Sequence, residues 1–299
     1  SPRRSTAWLV RFLRPGAARR FRKKPMITGC DLAAIAREIE SRSGVPSFFV
    51  PSNGIGSYVS GAGQALRLYA ERFVLPAQEK KKNAVNILGA TPLDFSANGQ
   101  VQSIARRLTE GGFSVQSVWA MGSETTAIDR AGEAEVNLVV SSVGLPAAEF
   151  LRERFGMPYV VGAPLGDTVS ALLLGALQKS IHTGENEILP AGMPDAPDTV
   201  ILGESVTSRS LAAALLLDYG LCAEVICPVE LPRELEGSFC RQIEDEQDLQ
   251  AALSGARRVI ADPLFAPIVP QGAQFFPLPH EAYSGRIYRR QIPNLVTTW

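Results

Sequence analysis

Residues 86–166 alternate short apolar runs with longer segments of helical period, and no other feature restricts the fold of this chain as much. The apolar runs fall at 85–88, 115–120, 136–140 and 159–161. Strand-length runs separated by helix-length segments specify repeated strand–helix–strand units, and hence a parallel sheet covered by helices. Gly, Ser, Pro or Asp follows these runs. The chain therefore turns at the carboxyl ends of its strands, where open α/β sheets bind their ligands.

A chain of 299 residues can hold two compact domains, each with its own core. Thirty basic residues balance thirty acidic ones, so the whole chain is not built to bind nucleic acid or an anionic membrane. Four cysteines are too few for a disulfide scaffold at this length and point to a reducing compartment. The longest apolar runs, 171–177 and 211–217, fall short of the roughly 20 residues that span a bilayer. The expectation is a soluble, cytoplasmic α/β protein.

Residues 1–25 differ from the rest. Arg3, Arg4, Arg11, Arg14, Arg19, Arg20, Arg22, Lys23 and Lys24 occur there without an acidic residue. An organelle transit peptide, a nucleic-acid-binding arm and a foreign, unstructured leader all have this composition. Beyond Pro25, Asp31 is placed to cap a helix over 31–44, with Leu32, Ile35, Ala36 and Ile39 on one face and Gly44 at its end. A buried strand is expected at 45–50, then a glycine-rich loop opening a helix over 62–73. The polar run 79–83 marks one domain boundary and the Gly-, Pro- and acid-rich segment 184–198 a second. Between and after them the reading is strands at 199–203, 221–227 and 258–261, with helices at 146–155, 167–182, 206–219 and 245–254.

Few motifs carry chemistry. The loop Gly54-Ile55-Gly56-Ser57-Tyr58-Val59-Ser60-Gly61 has the context of a dinucleotide fingerprint but not its spacing, since Val59 stands where the third glycine belongs. P-loop, G-x-S-x-G and H-E-x-x-H sequences do not occur. Cys222 and Cys227 differ by an odd number along one expected strand, so their side chains point to opposite faces. Cys222, Cys227 and Cys240, with or without Cys30, contain no C-x-x-C and read better as buried apolar thiols than as an iron–sulphur or zinc site. His182 is placed to satisfy carbonyls at a helix end. His280 lies in a Pro-bounded loop beside Tyr283, Ser284, Gly285 and Arg286, and reads either as a ligand or proton donor or as a loop histidine making one hydrogen bond.

Taken together, VNILG, GGFSV, AEVNLVVS, AAEFLRERFGMPYV and GAPLG resemble the component 1 family of nitrogenase and nitrogenase-like oxidoreductases. GCDLAAIAREIESRSGVP and NGIGSYVSGAGQAL are similar to the end of that family's first domain, and ILGESVTSRSLAAALLLDYG and LPHEAYSGR to its last. The resemblance covers about residues 26–296 and lies closer to the nitrogenase-like branches than to nitrogenase proper. It implies an α/β fold of repeated Rossmann-like domains with parallel sheets: an incomplete first domain at 26–80, a middle domain at 83–183 and a C-terminal domain at 197–299. It implies a paired component 1-like subunit and a P-loop iron–sulphur reductase as partners. The reaction implied is multi-electron reduction of a tetrapyrrole, of the F430 or chlorophyll type, or of a small molecule. A non-catalytic cofactor scaffold and a non-functional fragment are the alternatives.

The resemblance makes His280, Ser141, Ser142, Ser284, Gly285, Gly54 and Gly56 the candidate cofactor- or substrate-binding residues, with no metal ligand among them. His280 falls where the family has a cofactor-binding histidine. Ser141 takes the place at which the nitrogenase catalytic subunit anchors its metal cofactor through a cysteine, and a hydroxyl is a poor substitute for a thiolate. No iron–molybdenum cofactor is therefore expected. The family's iron–sulphur relay cluster is held by first-domain cysteines whose positions fall among Arg22, Lys23 and Lys24 or before residue 1. The expectation is a truncated or frame-shifted gene product in which family sequence resumes near Met26.

Overall fold

The computed structural model describes residues 31–51, 56–189 and 197–297. The basic leader, Cys30, Gly54 and residues 190–196 of the expected boundary at 184–198 lie outside them. The chain divides into two units, Ser1–Gly56 and Ser57–Trp299.

In the first unit, α1 (Leu32–Ser43) forms as its pattern predicts. The Asp31 side chain accepts from Ala34 N, and Gly44 closes the helix in the left-handed region. The strand expected at 45–50 is absent. Ser47 N turns instead to the Glu40 carboxylate and Ser47 Oγ to Val45 O, while Pro46 and Pro51 remove two donors that a ladder would need.

In the second unit, Ser57 caps α2 (Tyr58–Phe73), four residues longer at its start than expected. Then come β1 (Ala84–Leu88), α3 (Pro92–Phe95), α4 (Gln100–Glu110), β2 (Ser114–Val118), α5 (Thr125–Asp129), β3 (Val136–Val139), α6 (Leu145–Phe155), β4 (Tyr159–Val161), α7 (Gly166–Thr183) and β5 (Glu187–Ile188). The strands pair in parallel in the order β2-β1-β3-β4-β5. A second series follows: β6 (Thr199–Leu202), α8 (Ser205–Tyr219), β7 (Ala223–Cys227), β8 (Cys240–Gln242), α9 (Glu246–Leu253), β9 (Arg258–Ala261), β10 (Gln274–Pro277) and α10 (Glu281–Ser284). It forms another parallel sheet, ordered β10-β9-β6-β7-β8.

One buried apolar cluster joins the two sheets. It includes Val85, Ile87 and Leu138 of the first sheet, Leu173 of α7, Leu211 of α8 and Val225 of the second. α7 and α8 pack on one another within it. Among the described residues no helix is long and apolar enough to cross a membrane.

Register in the first sheet is fixed by a polar ladder inside the core. Asn86 and Asn137 are directly opposed, and Asn86 Nδ2 donates to Asn137 Oδ1 at 2.9 Å and to Ala131 O at 3.0 Å. Ser117 Oγ donates to Asn86 Oδ1 at 2.7 Å, and Trp119 Nε1 to Ser117 Oγ at 2.9 Å. A one-residue slip of β1 or β3 would break this chain of bonds and turn both strands inside out.

In each sheet the chain reverses its direction of travel once. β2 lies on one side of β1 and β3 on the other; β7 lies on one side of β6 and β9 on the other. The loops after β1 and β3 diverge, as do those after β6 and β9, and each pair leaves a crevice at the carboxyl edge. In the first crevice the backbones touch. A Cβ on Gly89, at φ +86°, would lie 2.7 Å from Ser141 O, and one on Gly144 would lie 2.7 Å from Leu88 C and O. Gly144→Ala is therefore expected to cost about 1–3 kcal/mol through overpacking, whereas Gly175→Ala, with open space on α7, should gain about 0.5–1 kcal/mol. Urea-denaturation midpoints check both, and equal stability of the two variants would contradict the contact.

Candidate functional site

The carboxyl edges of the two sheets meet, and the polar residues that follow the strands collect there in a buried group. Thr91 and Asp94 follow β1, Ser141 and Ser142 follow β3, Glu204 follows β6, Asp262 follows β9 and His280 follows β10. Thr91 opens α3 by accepting from Asp94 N, a capping arrangement that turns the Asp94 carboxylate inward.

Asp94 is the hub. Its side chain has no exposed surface. Tyr58 Oη donates to Oδ1 at 2.6 Å; Thr91 Oγ1 and Ser141 Oγ donate to Oδ2 at 2.7 and 2.8 Å. Burial raises the Asp94 pKa above its ordinary value of 3.8, and the nearby Glu204 charge raises it further, against the opposing pull of His280 and the hydrogen bonds. Burial and then the Asp94 charge push the Tyr58 hydroxyl well above its usual range, so it remains a donor.

Glu204 ties the two sheets together. It caps α8, accepting from Val206 N at 3.1 Å and Thr207 N at 2.9 Å, and the same carboxylate accepts from Ser142 N at 2.8 Å. Its charge faces the positive end of α8, which favours it. Asp262 performs the same service for the His280 loop. It accepts from Leu264 N at 2.8 Å, His280 N at 2.6 Å and Ser284 Oγ at 2.8 Å.

Three polar atoms in this group are buried with no hydrogen-bond partner: Ser142 Oγ, His280 Nε2 and Tyr283 Oη. The His280 and Tyr283 rings lie 4.9 Å apart, and burial followed by the Glu204 charge keeps the Tyr283 phenol protonated. The tautomer of His280 follows from its surroundings. Nδ1 accepts from Ala282 N at 3.2 Å, so in the neutral ring the proton sits on Nε2, which faces Asp94 Oδ1 at 3.6 Å. His280 is thereby arranged as a donor. Metal ligation through Nε2 would require the proton to move to Nδ1, breaking the bond to Ala282.

Of the seven candidates named from sequence, Ser141, Ser142, His280 and Ser284 come together here. Gly285 ends α10 at φ +64° and meets no neighbour within 4 Å, so it shapes the turn. Gly56 is exposed at the end of the other unit, and Gly54 lies outside the described residues. Tyr58, Thr91, Asp94, Glu204 and Asp262 were not singled out by sequence reasoning. The available signal was position: Asp94 sits three residues after a helix-capping Thr91, and Glu204 and Asp262 sit within two residues of a strand end. A cavity of about 220 Å³ adjoins the group, lined by Ser142, Val59, Leu145, Pro146, Glu149 and Glu230.

An iron–sulphur cluster needs several thiolates converging on one point. Among the described residues Cys227 and Cys240 meet, but no group of three or more His, Cys, Asp or Glu side chains is arranged to hold a metal. The described residues do not fit a cluster site.

The raised pKa of Asp94 makes stability depend on pH in a defined direction. The folded state holds this proton more tightly than the unfolded chain. Its contribution is complete below 3.8 and is lost as pH rises through the raised folded-state value. Asp94→Asn cannot lose a proton, so its stability relative to the natural protein should improve steadily from about pH 4 upward in urea denaturation. A difference that does not change with pH would rule out the shifted proton.

Comparison with known proteins bears on the family and the fold. Residues 25–202 match the family described as nitrogenase component 1 type oxidoreductase. A light-independent protochlorophyllide reductase subunit of Synechococcus sp. is 31% identical over 124 residues, 40% of this chain and 24% of that protein. The corresponding protein of Prosthecochloris aestuarii is 35% identical over 97 residues, 32% of this chain and 18% of that protein. The chain thus matches about a quarter or less of the length of these relatives. A solved structure of nitrogenase Cp1 at pH 6.5 superposes with a TM-score of 0.56 at 15% identity, covering 90% of this chain and 72% of that one. One at pH 5 gives a TM-score of 0.60 at the same identity, covering 90% and 66%. These two likenesses are of fold. Since the family pattern extends over more than half of its length, the chain belongs to the nitrogenase component 1 type oxidoreductases.

Proposed function

We propose that this chain is a cytoplasmic subunit of a nitrogenase-like reductase that binds a tetrapyrrole where its two parallel sheets meet and supplies protons for its reduction. A paired component 1-like subunit completes the complex, and a separate ATP-hydrolysing iron–sulphur reductase delivers the electrons. The observation that carries this reading is the convergence of two topological switch points on one buried group with three unpartnered polar atoms. Buried polar atoms without partners are uncommon in a settled core and are expected where a ligand completes the bonding. The tetrapyrrole assignment draws on the names of the relatives, which are subunits of protochlorophyllide reductases.

Multi-electron reduction to a neutral product consumes a proton for each electron. The site holds one acid suited to that demand, Asp94, whose burial favours the protonated form, and two hydrogen-bond donors, His280 Nε2 and Tyr283 Oη, placed to orient the acceptor. Tyr58, Thr91 and Ser141 orient the Asp94 carboxyl group, and Asp262 holds the His280 loop in place.

The test is anaerobic co-purification with the neighbouring subunits, followed by protochlorophyllide titration read from pigment absorbance and by turnover with the reductase and ATP. Asp94→Asn and His280→Gln should keep pigment binding and lower turnover by about 100-fold or more. Absence of pigment binding by the complex would overturn the tetrapyrrole reading. Unchanged turnover in both variants would remove the proton-donor role.

A further inference from the structure

Cys227 and Cys240 lie outside the group described above, and the proposed reduction does not use them. Cys227 ends β7 and Cys240 opens the neighbouring strand β8. Their Sγ atoms are 4.0 Å apart, and both residues are fully buried. The strands register Val225 against Cys240 and Cys227 against Gln242, so the thiols meet diagonally, and joining them takes a small shift of the edge strand β8 as well as a change of rotamer.

The surroundings of the two sulphurs differ. The Arg209 side chain reaches Leu235 O at 3.0 Å and lies 5.0 Å over the Phe239 ring, beside Cys240. The S–H of Cys227 and then the Arg209 charge draw Cys240 toward the thiolate, against its burial. Its bond to Cys240 and burial hold Cys227 as a thiol. The Arg209 charge thus favours Cys240 as the sulphur that becomes the thiolate once exposed, with Cys227 in contact to resolve it. Access has a physical route, because β8 is a three-residue edge strand whose Arg241 and Gln242 are exposed, and such strands open at low cost.

We infer that Cys227 and Cys240 form an oxidisable dithiol that a small-molecule disulfide of the glutathione type converts to an intrachain disulfide. The Cys240 thiolate attacks the small disulfide, forming a mixed disulfide and releasing one thiolate. Cys227 then attacks the Cys240 sulphur, the second small thiol leaves, and the Cys227 proton passes to a released thiolate. The protein is oxidised by two electrons and the small disulfide is reduced to two thiols.

The bond would join the two ends of the β7–β8 crossover, residues 228–239. That crossover reaches α2 through Glu230, which accepts from Ser57 N at 2.8 Å, and it lines the 220 Å³ cavity through Glu230, Leu231, Pro232 and Glu234. Oxidation therefore constrains the loop that borders the site.

The full chain carrying Cys30→Ser and Cys222→Ser retains two thiols and is exposed to oxidised glutathione under native conditions. The expected product has lost two hydrogens by intact mass, gives one peptide cross-linked between Cys227 and Cys240, and returns to the dithiol with dithiothreitol. Adding Cys227→Ser should leave a glutathione adduct on Cys240. Peptide mapping of the natural chain reads the same cross-link if the substituted chains fail to fold. The inference is overturned if both thiols remain alkylatable once Cys222 of the natural chain is fully modified. An adduct on Cys227 of the Cys240→Ser chain, with none on Cys240 of the Cys227→Ser chain, would overturn it as well.

Discussion

A carboxyl group with no exposed surface is costly to bury unless its oxygens are filled, and Asp94 meets that condition by drawing on elements far apart in sequence. Tyr58 comes from the first turn of α2, Thr91 from the loop after β1, Ser141 from the end of β3, and His280 faces it from beyond β10. Each of these elements is held at the strand edge by other forces, chiefly apolar packing and the Asn86–Asn137 ladder. The carboxyl group then makes their relative placement specific. Three hydroxyl donors on two oxygens also explain why burial does not simply expel this side chain.

The location of the group follows from topology more than from any one residue. Each parallel sheet has one place where neighbouring loops diverge, and both such places carry carboxylates within a few residues of the strand ends. Asp94 stands at the first, Glu204 and Asp262 at the second. Packing of α7 on α8 brings the edges together. The acids are then distributed over different tasks. Glu204 and Asp262 are occupied by backbone N–H groups and hold helix and loop starts, whereas Asp94 is bonded only by hydroxyls in the contacts described, and so is freer to change protonation.

Much of this architecture was legible in the sequence. The strands at 136–139, 199–202 and 258–261, the Asp31 cap and the placement of Pro146 in the first turn of α6 all follow from local pattern and chemistry. The segment 45–50 does not form the expected strand, because an apolar run says nothing about whether a partner strand lies alongside it. In the site, Ser141, Ser142, His280 and Ser284 were accessible through family resemblance, since their motifs are distinctive. Tyr58 and Asp94 were not, because a tyrosine at a helix start and an acid in a short capped turn are ordinary in isolation. Only the packing of α2 on α6 and on the turn at 142–144 brings the tyrosine to the acid.

The two positions that the resemblance aligns with metal-anchoring residues are occupied in a different way here. Ser141 spends its hydroxyl proton on Asp94, a hydrogen bond that holds the acid. The Ala282 N–H fixes the proton of His280 on the nitrogen that faces the same acid. A metal would demand lone pairs from both positions, whereas the structure arranges hydrogens at both. The chemistry of the crevice is therefore that of donors around a buried acid. In the proposed function such a set delivers protons to an organic acceptor rather than gripping a metal cofactor.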